Sequence, residues 1–267
     1  MSQSRDSSSS REVSLPGGRQ ERTRISSVSV DSISLRGRDL ATEIMGSRSF
    51  TELIFLLVLD REGRPEEVRL LDACLSSMAD HGLTLSAMTA RATHWAAPEA
   101  VQGAVAAGLA GVGSAVAGSM EDCGRVLWDI GVAVDDGIAA PEAVGARVAE
   151  LLSAGKIIPG LGHRIHTNGD PRAERLIELA DESGLAGREI GFLRQMAEAL
   201  RDQSGADRLL PTNVTGATAA VLMGIGFEWW ILRGIAVIAR AAGLVAHLRE
   251  ERYHPLVPDF RRFLLEQ

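Results

Sequence analysis

Four polar segments stand out from an apolar chain, and their residue types define the chemistry to consider. Asp80-His81-Gly82 closes a helical stretch. The His81 imidazole titrates near neutrality and can serve as an acid or base; at a helix end it can equally act as a cap or dipole partner. Pro159-Gly160-Leu161-Gly162-His163-Arg164 runs on to Asp170-Pro171-Arg172. Glycines beside a histidine and an arginine let backbone amides approach a ligand closely. There His163 can polarise a carbonyl or hydroxyl, and Arg172 can clamp a carboxylate with two parallel hydrogen bonds. His163 and His166 are too few for a metal site and lack an adjacent carboxylate pair, so no metal is expected.

The third segment, Pro211-Thr212-Asn213-Val214-Thr215-Gly216, precedes an apolar helix, and Asn213 or Thr215 reads as its cap. The fourth is the helix from Arg233 to Arg252, which carries Arg240, His247, Glu250 and Glu251. Arg240 shares a face with Val237 and Arg233. An arginine inside so apolar a helix needs either a buried ion-pair partner or an anionic ligand. Lys156 is the only lysine, which leaves little room for Schiff-base or P-loop chemistry.

The elements that must position these groups are helical. The chain has 267 residues, 45% apolar and only 4% aromatic, with 28 glycines. That length supports one large domain or two small ones, and small residues in this number favour closely packed helices over a β-sandwich. Pro65, Pro98, Pro141 and Pro171, the first three followed by glutamate, mark helix starts. The stripe Val144, Val148, Leu151 and Leu152 ends near Gly155. Leu232–Leu248 predicts a long helix. Only Ser27–Leu35, where Ser alternates with Val or Ile, reads as short strands.

The fold class expected is all-α. Residues 1–24 carry five arginines against three acids and little apolar surface, and they read as a disordered tail. Residues 25–140 and 226–267 are expected to form a large domain, and 141–225 a smaller one. The net charge of −7 excludes a general nucleic-acid binder. Ala100–Met120 is uncharged and long enough to weigh as a membrane span, but its Ala, Gly and Ser content predicts a buried helix, so no membrane partner is expected. Cys74 and Cys123 cannot build a disulfide framework, and the amino terminus has no signal-peptide core, so a cytoplasmic setting is expected.

Taken in order, the segments SISLRGRDL, ADHG at 79–82, PGLGHR at 159–164, DPR at 170–172, NVTG at 213–216 and RGIAVIARAAGLVAHLREERYHP at 233–255 resemble the citrate synthase family. The likeness spans Ile33 to Pro255 and is strongest to the short lyase branch, citryl-CoA lyase and the carboxyl-terminal module of ATP citrate lyase. The resemblance implies an all-helical homodimer of large and small lobes, with a coenzyme A thioester as substrate and no permanently bound cofactor. It implies carbon–carbon chemistry between an acyl-CoA and a small 2-oxo or hydroxy acid. His81 matches the histidine that binds the oxo- or hydroxy-acid portion. His163 matches the one that hydrogen-bonds the carbonyl or hydroxyl being made or broken. Arg172 and Arg240 match carboxylate-binding arginines, with Arg252 as a further candidate reaching a partner subunit's site. Gly160, Leu161 and Gly162 match backbone beside the CoA moiety. Two positions depart from the pattern. Ala117 stands where citrate synthases carry a histidine, and Thr215 occupies the catalytic position of an aspartate that transfers the α-proton.

Overall fold

The computed structural model describes residues 23–113, 119–163, 166–205 and 210–266. Most of the tail read as disordered, together with Ala117 and Arg164, lies outside these. The chain divides into two compact units, one ending at Val68 and the other beginning at Arg69.

In the first unit, the alternating Ser–Val/Ile stretch forms an antiparallel meander. Its strands are β1 (Ser26–Val28), β2 (Ile33–Leu35) and β3 (Arg38–Asp39). Ser27 pairs with Ser34 across β1 and β2, their hydroxyls 2.7 Å apart. Arg36 and Gly37 turn the chain at positive φ, and the Arg36 guanidinium donates to the Leu57 carbonyl at 2.7 Å. That bond ties the meander to α1 (Phe50–Leu59), which starts with a reciprocal Ser49–Glu52 capping box. The unit boundary falls inside α2 (Pro65–Ala79).

The second unit continues with α3 (Leu85–Ala96), α4 (Val101–Ala110), α5 (Ser119–Asp135), α6 (Ala140–Ser153) and α7 (Pro171–Glu182). It closes with α8 (Arg188–Ser204), α9 (Val214–Gly224), α10 (Leu232–Tyr253) and α11 (Val257–Leu265). Pro65 and Pro171 open helices, and Pro141 sits in a first turn, as the sequence predicts. Pro98 does not open one. The Ala100 amide bonds back to the Ala97 carbonyl in a turn, and α4 begins only at Val101.

Two groups of helices build the second unit. In one, α3, α4 and α10 pack through Ala87, Ala90, Ala104, Leu244 and Leu248. Gly108 allows the approach, since a Cβ there would lie 2.8 Å from Leu244 Cδ1 and from the Ser86 carbonyl. Burying Leu244 and Leu248 contributes roughly 1.5–3 kcal/mol each. In the other, α9 packs against α5, α7 and α8, and α6 packs against α5 and α8. Val214, Ala217, Thr218, Ala219, Ala220, Val221 and Leu222 of α9 are all buried, the pattern of a helix with core on every side. Contacts between α10 and α5 join the two groups.

Ala100–Met120 does not supply a span. The helix within it, α4, has 10 residues, where a bilayer needs about 20. Among the described residues, Trp229–Tyr253 is long and apolar enough to cross a membrane. Its Leu232, Ile235, Leu244 and Leu248 are buried, and its His247 and Glu251 bond to Arg91 of α3. It is a core helix.

Candidate active site

The PGLGH loop is seated on the amino end of α9 by close backbone contact. Gly160 (φ 89°) and Gly162 (φ 72°) both occupy the left-handed region open to glycine. A Cβ on Gly216 would lie 2.5 Å from the Gly160 carbonyl oxygen, so both residues of this crossing are glycine for lack of space. Asn213 is the cap of α9. Its Oδ1 accepts from the Gly216 amide at 3.0 Å, its own amide donates to the Gly160 carbonyl at 3.0 Å, and its Nδ2 donates to the Gly162 carbonyl at 2.7 Å. The Leu161 and Gly162 amides are taken by the Ile158 and Pro211 carbonyls.

Asp170 joins this loop to two helix ends. It is buried and caps α7, accepting from the Arg172 amide at 3.1 Å, and it also accepts from the Val214 amide at 2.9 Å. Its carboxylate takes Nε and Nη2 of Arg172 at 3.0 and 2.9 Å. Burial opposes its ionisation, but the Arg172 and Val214 hydrogen bonds outweigh it and hold the carboxyl below its ordinary pKa. The paired edge of Arg172, predicted as a carboxylate clamp, is thus already spent on Asp170.

Three imidazoles converge here, where the sequence suggested two. The His81 and His163 rings lie 5.7 Å apart, His163 and His166 4.6 Å, and His81 and His166 6.0 Å. His81 sits in the turn between α2 and α3 and meets the other rings rather than the end of α2. Gly82 (φ 73°) makes that turn, its amide donating to Asp80 at 2.8 Å. Burial, then the charge of Arg172, lowers the His81 pKa; burial and His166 lower that of His163. Both are therefore neutral at pH 7. The His166 amide donates to His163 Nδ1 at 3.0 Å. That nitrogen is thus the acceptor, and the ring proton of neutral His163 sits on Nε2.

One nitrogen from each ring lies within 4.8 Å of the others, a spacing open to a metal ion in principle. Two observations weigh against one. His163 Nδ1 already receives a proton donor, and Arg172 and Arg240 make the site positive. The arrangement suits an anion carrying a carbonyl or hydroxyl oxygen.

Arg240 supports this reading most directly. It is largely buried in α10, with Nη1 3.7 Å from Asp80 Oδ1, and this buried nitrogen has no hydrogen-bond partner among the described residues. Burial lowers its pKa against the pull of Asp80. Asp80 is in turn held by His247, whose Nε2 lies 2.8 Å from Oδ1. An open cavity of about 800 Å³ flanks the pair, lined by His247, Glu250, Tyr253 and His254 among others.

Arg252 is exposed in the last turn of α10. Thr215 Oγ1 donates to Asn213 Oδ1 at 2.7 Å and lies 2.8 Å from the Ser119 hydroxyl, which must donate in return. Cys74 and Cys123 are buried free thiols, and burial pushes Cys123 up to about 12, so neither is a nucleophile. Sequence reasoning missed Asp170 as a hub, Arg91 as the partner of His247, and His166 as the third imidazole. The only signals were a buried-face position seven residues beyond Arg240 for His247, and proximity in sequence to His163 for His166.

A largely helical frame thus gathers three imidazoles and two arginines at one place. The citrate synthase C-terminal domain family model matches residues 23–257, and the chain belongs to this family. The structure is similar to that of citryl-CoA lyase from Hydrogenobacter thermophilus, with TM-score 0.78, 33% identity and 87% of each chain covered. Methanosaeta concilii ATP citrate lyase in complex with (3S)-citryl-CoA shares the fold at TM-score 0.72 and 22% identity, over 90% of this chain and 40% of that one. Citrate synthase 2 of Bacillus subtilis (strain 168) is 29% identical over 199 residues, 74% of this chain and 51% of the relative. The chain spans about half the length of the curated relatives it matches.

Proposed function

We propose that this chain makes or cleaves a carbon–carbon bond between an acyl-CoA and a 2-oxo acid, in the manner of a citryl-CoA lyase. The reference reaction is cleavage of citryl-CoA to acetyl-CoA and oxaloacetate. The observation that carries the reading is the buried Nη1 of Arg240 beside the imidazole cluster, 3.7 Å from Asp80 and without a hydrogen-bond partner among the described residues. It marks a place for a substrate carboxylate. The likeness to a citryl-CoA lyase over 87% of both chains supports the thioester.

In this reading His81 and Arg240 hold the oxo-acid portion, and Arg172, oriented by Asp170, adds positive charge. Neutral His163 donates its Nε2 hydrogen to the oxygen on the carbon being cleaved. That donor stabilises the developing carbonyl. Gly160, Leu161 and Gly162 lie along the CoA moiety, which is substrate rather than resident cofactor. The exposed Phe260, Phe263 and Leu265 of α11 favour a homodimer in which Arg252 reaches the partner subunit's site.

Thr215, at the position of the family's aspartate, favours one variation. Its closed hydrogen-bond chain through Ser119 and Asn213 makes it no base, as would suit retro-aldol or Claisen cleavage of a different acyl-CoA whose enolate is already stabilised. A non-catalytic acyl-CoA binder is the outcome at the far end of the same test.

The test incubates purified protein with citryl-CoA and follows oxaloacetate through a coupled reduction, with acetyl-CoA plus oxaloacetate run in parallel. Cleavage that falls ~10²–10⁴-fold in His163→Ala is expected. Silence in both directions, with acyl-CoA still raising the melting temperature, would overturn the citryl-CoA assignment in favour of another thioester or a binding role.

A further inference from the structure

Cleavage of citryl-CoA removes a proton from the C3 hydroxyl and places one on the α-carbon of the departing enolate, so the reaction needs a proton carrier. Thr215 donates to Asn213 and accepts from Ser119, and an alcohol is far too weak a base at neutral pH. His163 presents a donor, because its Nδ1 lone pair receives the His166 amide. His81 feels both Arg172 and Arg240, which places it with the substrate's carboxylates. Glu121 is paired with Arg233 at 2.8 Å. Asp80 is held by His247 at 2.8 Å and Asp170 by the Arg172 guanidinium, which leaves, among the described residues, the third imidazole of the cluster, His166.

We propose that His166 is the proton carrier, taking the hydroxyl proton as the carbon–carbon bond breaks and returning it to the α-carbon of the enolate. The assignment rests on the citryl-CoA lyase-like reading above. Its ring is half-buried, 4.6 Å from that of His163 and tilted 34° to it. One nitrogen of each lies within 4.8 Å of the other, so the two rings can flank one small substrate group.

The step balances. The O–H bond breaks and its proton goes to an imidazole nitrogen of His166. The C2–C3 bond breaks, its electron pair entering the thioester enolate while C3–O becomes a carbonyl. The imidazolium then forms the new C–H bond on the enolate and returns to neutral. No oxidant, metal or second acid enters. The residue that moves the proton also fixes, through its amide, the tautomer of the histidine that polarises the oxygen.

The experiment compares wild type with His166→Gln and His166→Ala in citryl-CoA cleavage, with calorimetric binding of CoA to check the fold. The expected result is a kcat lower by ~10²–10⁴-fold, a much smaller change in KM, and recovery of His166→Ala by added imidazole in proportion to its concentration. Exchange of acetyl-CoA methyl protons with deuterated solvent reads the same proton transfer without cleavage, and it is lost in both variants. An active wild type with an unimpaired His166→Gln overturns the carrier role alone. A loss in His166→Ala that imidazole does not restore, with CoA still bound, makes His166 structural and also overturns it. A wild type silent on citryl-CoA overturns the reaction assignment itself.

Discussion

Arg91 turns its Nε and Nη2 onto the Nδ1 of His247, at 3.1 and 3.0 Å, from a position with no exposed surface. A guanidinium can only donate, so His247 Nδ1 accepts and Nε2 carries the proton that it gives to Asp80. The chain of bonds runs from the α3–α10 interface to the residue preceding His81. Arg91 also pairs with Glu250 and, at 2.9 Å, with Glu251. Core packing and site geometry are therefore one network.

Removing Arg91 should cost more than a surface ion pair. Glu251 is buried, and losing its cation leaves an uncompensated charge, typically about 3–5 kcal/mol. Arg91→Leu should lower the urea midpoint accordingly and raise KM by loosening Asp80 and His81. The double variant Arg91→Leu, Glu251→Leu should regain part of the stability. If it is no more stable than the single variant, the buried-charge account is wrong.

Arg240→Leu should separate binding from stability. Its buried Nη1 has no hydrogen-bond partner among the described residues, so the folded protein loses little when the side chain goes. A carboxylate ligand loses a charged hydrogen bond, so KM should rise roughly 10–100-fold. Steady-state kinetics and a melting curve on one preparation check both halves. A fall in melting temperature without a change in KM would make Arg240 a structural ion-pair residue.

Thr215→Val tests whether the hydroxyl does chemistry. It should cost about 1 kcal/mol through the lost Ser119–Thr215–Asn213 bonds. Its kcat should stay within about threefold, against the ~10²–10⁴-fold lost with an acid–base group. A collapse of kcat with intact CoA binding would return Thr215 to the catalytic set.

Two Gly→Ala changes should have opposite effects. In Gly216→Ala the new methyl meets the Gly160 carbonyl oxygen at 2.5 Å and its Cα at 2.7 Å, so overpacking should cost about 1–3 kcal/mol and displace the PGLGH loop. Gly191, inside α8, has nothing within 4 Å of its Cβ position, and Gly191→Ala should gain about 0.5–1 kcal/mol of helix propensity. Denaturant titration of both variants provides the comparison.

The acid limb of stability should depend on Asp170. Its folded pKa lies below its unfolded value, so its contribution is complete above about pH 4–5 and is lost as pH falls through the depressed folded value. Glu251, depressed by the Val257 and Leu256 amides and Arg91 against its burial, follows the same sign. Asp170→Asn should be less stable by about 1.5–3 kcal/mol at pH 7 and should show a shallower decline below pH 4. Parallel slopes for both proteins in urea unfolding from pH 3 to 7 would remove Asp170 from the account.

The sequence by itself determined the helices, because apolar periodicity and the prolines at 65, 141 and 171 act within a few residues of the chain. It also determined the order of the polar motifs and hence the family. The cap role of Asn213, the strand meander and the long helix α10 were legible for the same local reason. Only the tertiary structure decided which groups meet. His166 joins His81 across 85 positions of chain, and Arg91 finds His247 across 156. Side-chain identity gives no information about such distances. Tautomers and charge states were equally hidden. Which nitrogen of His163 carries the proton, and whether Arg172 keeps its fork for a ligand or spends it on Asp170, depends on neighbours that only folding supplies.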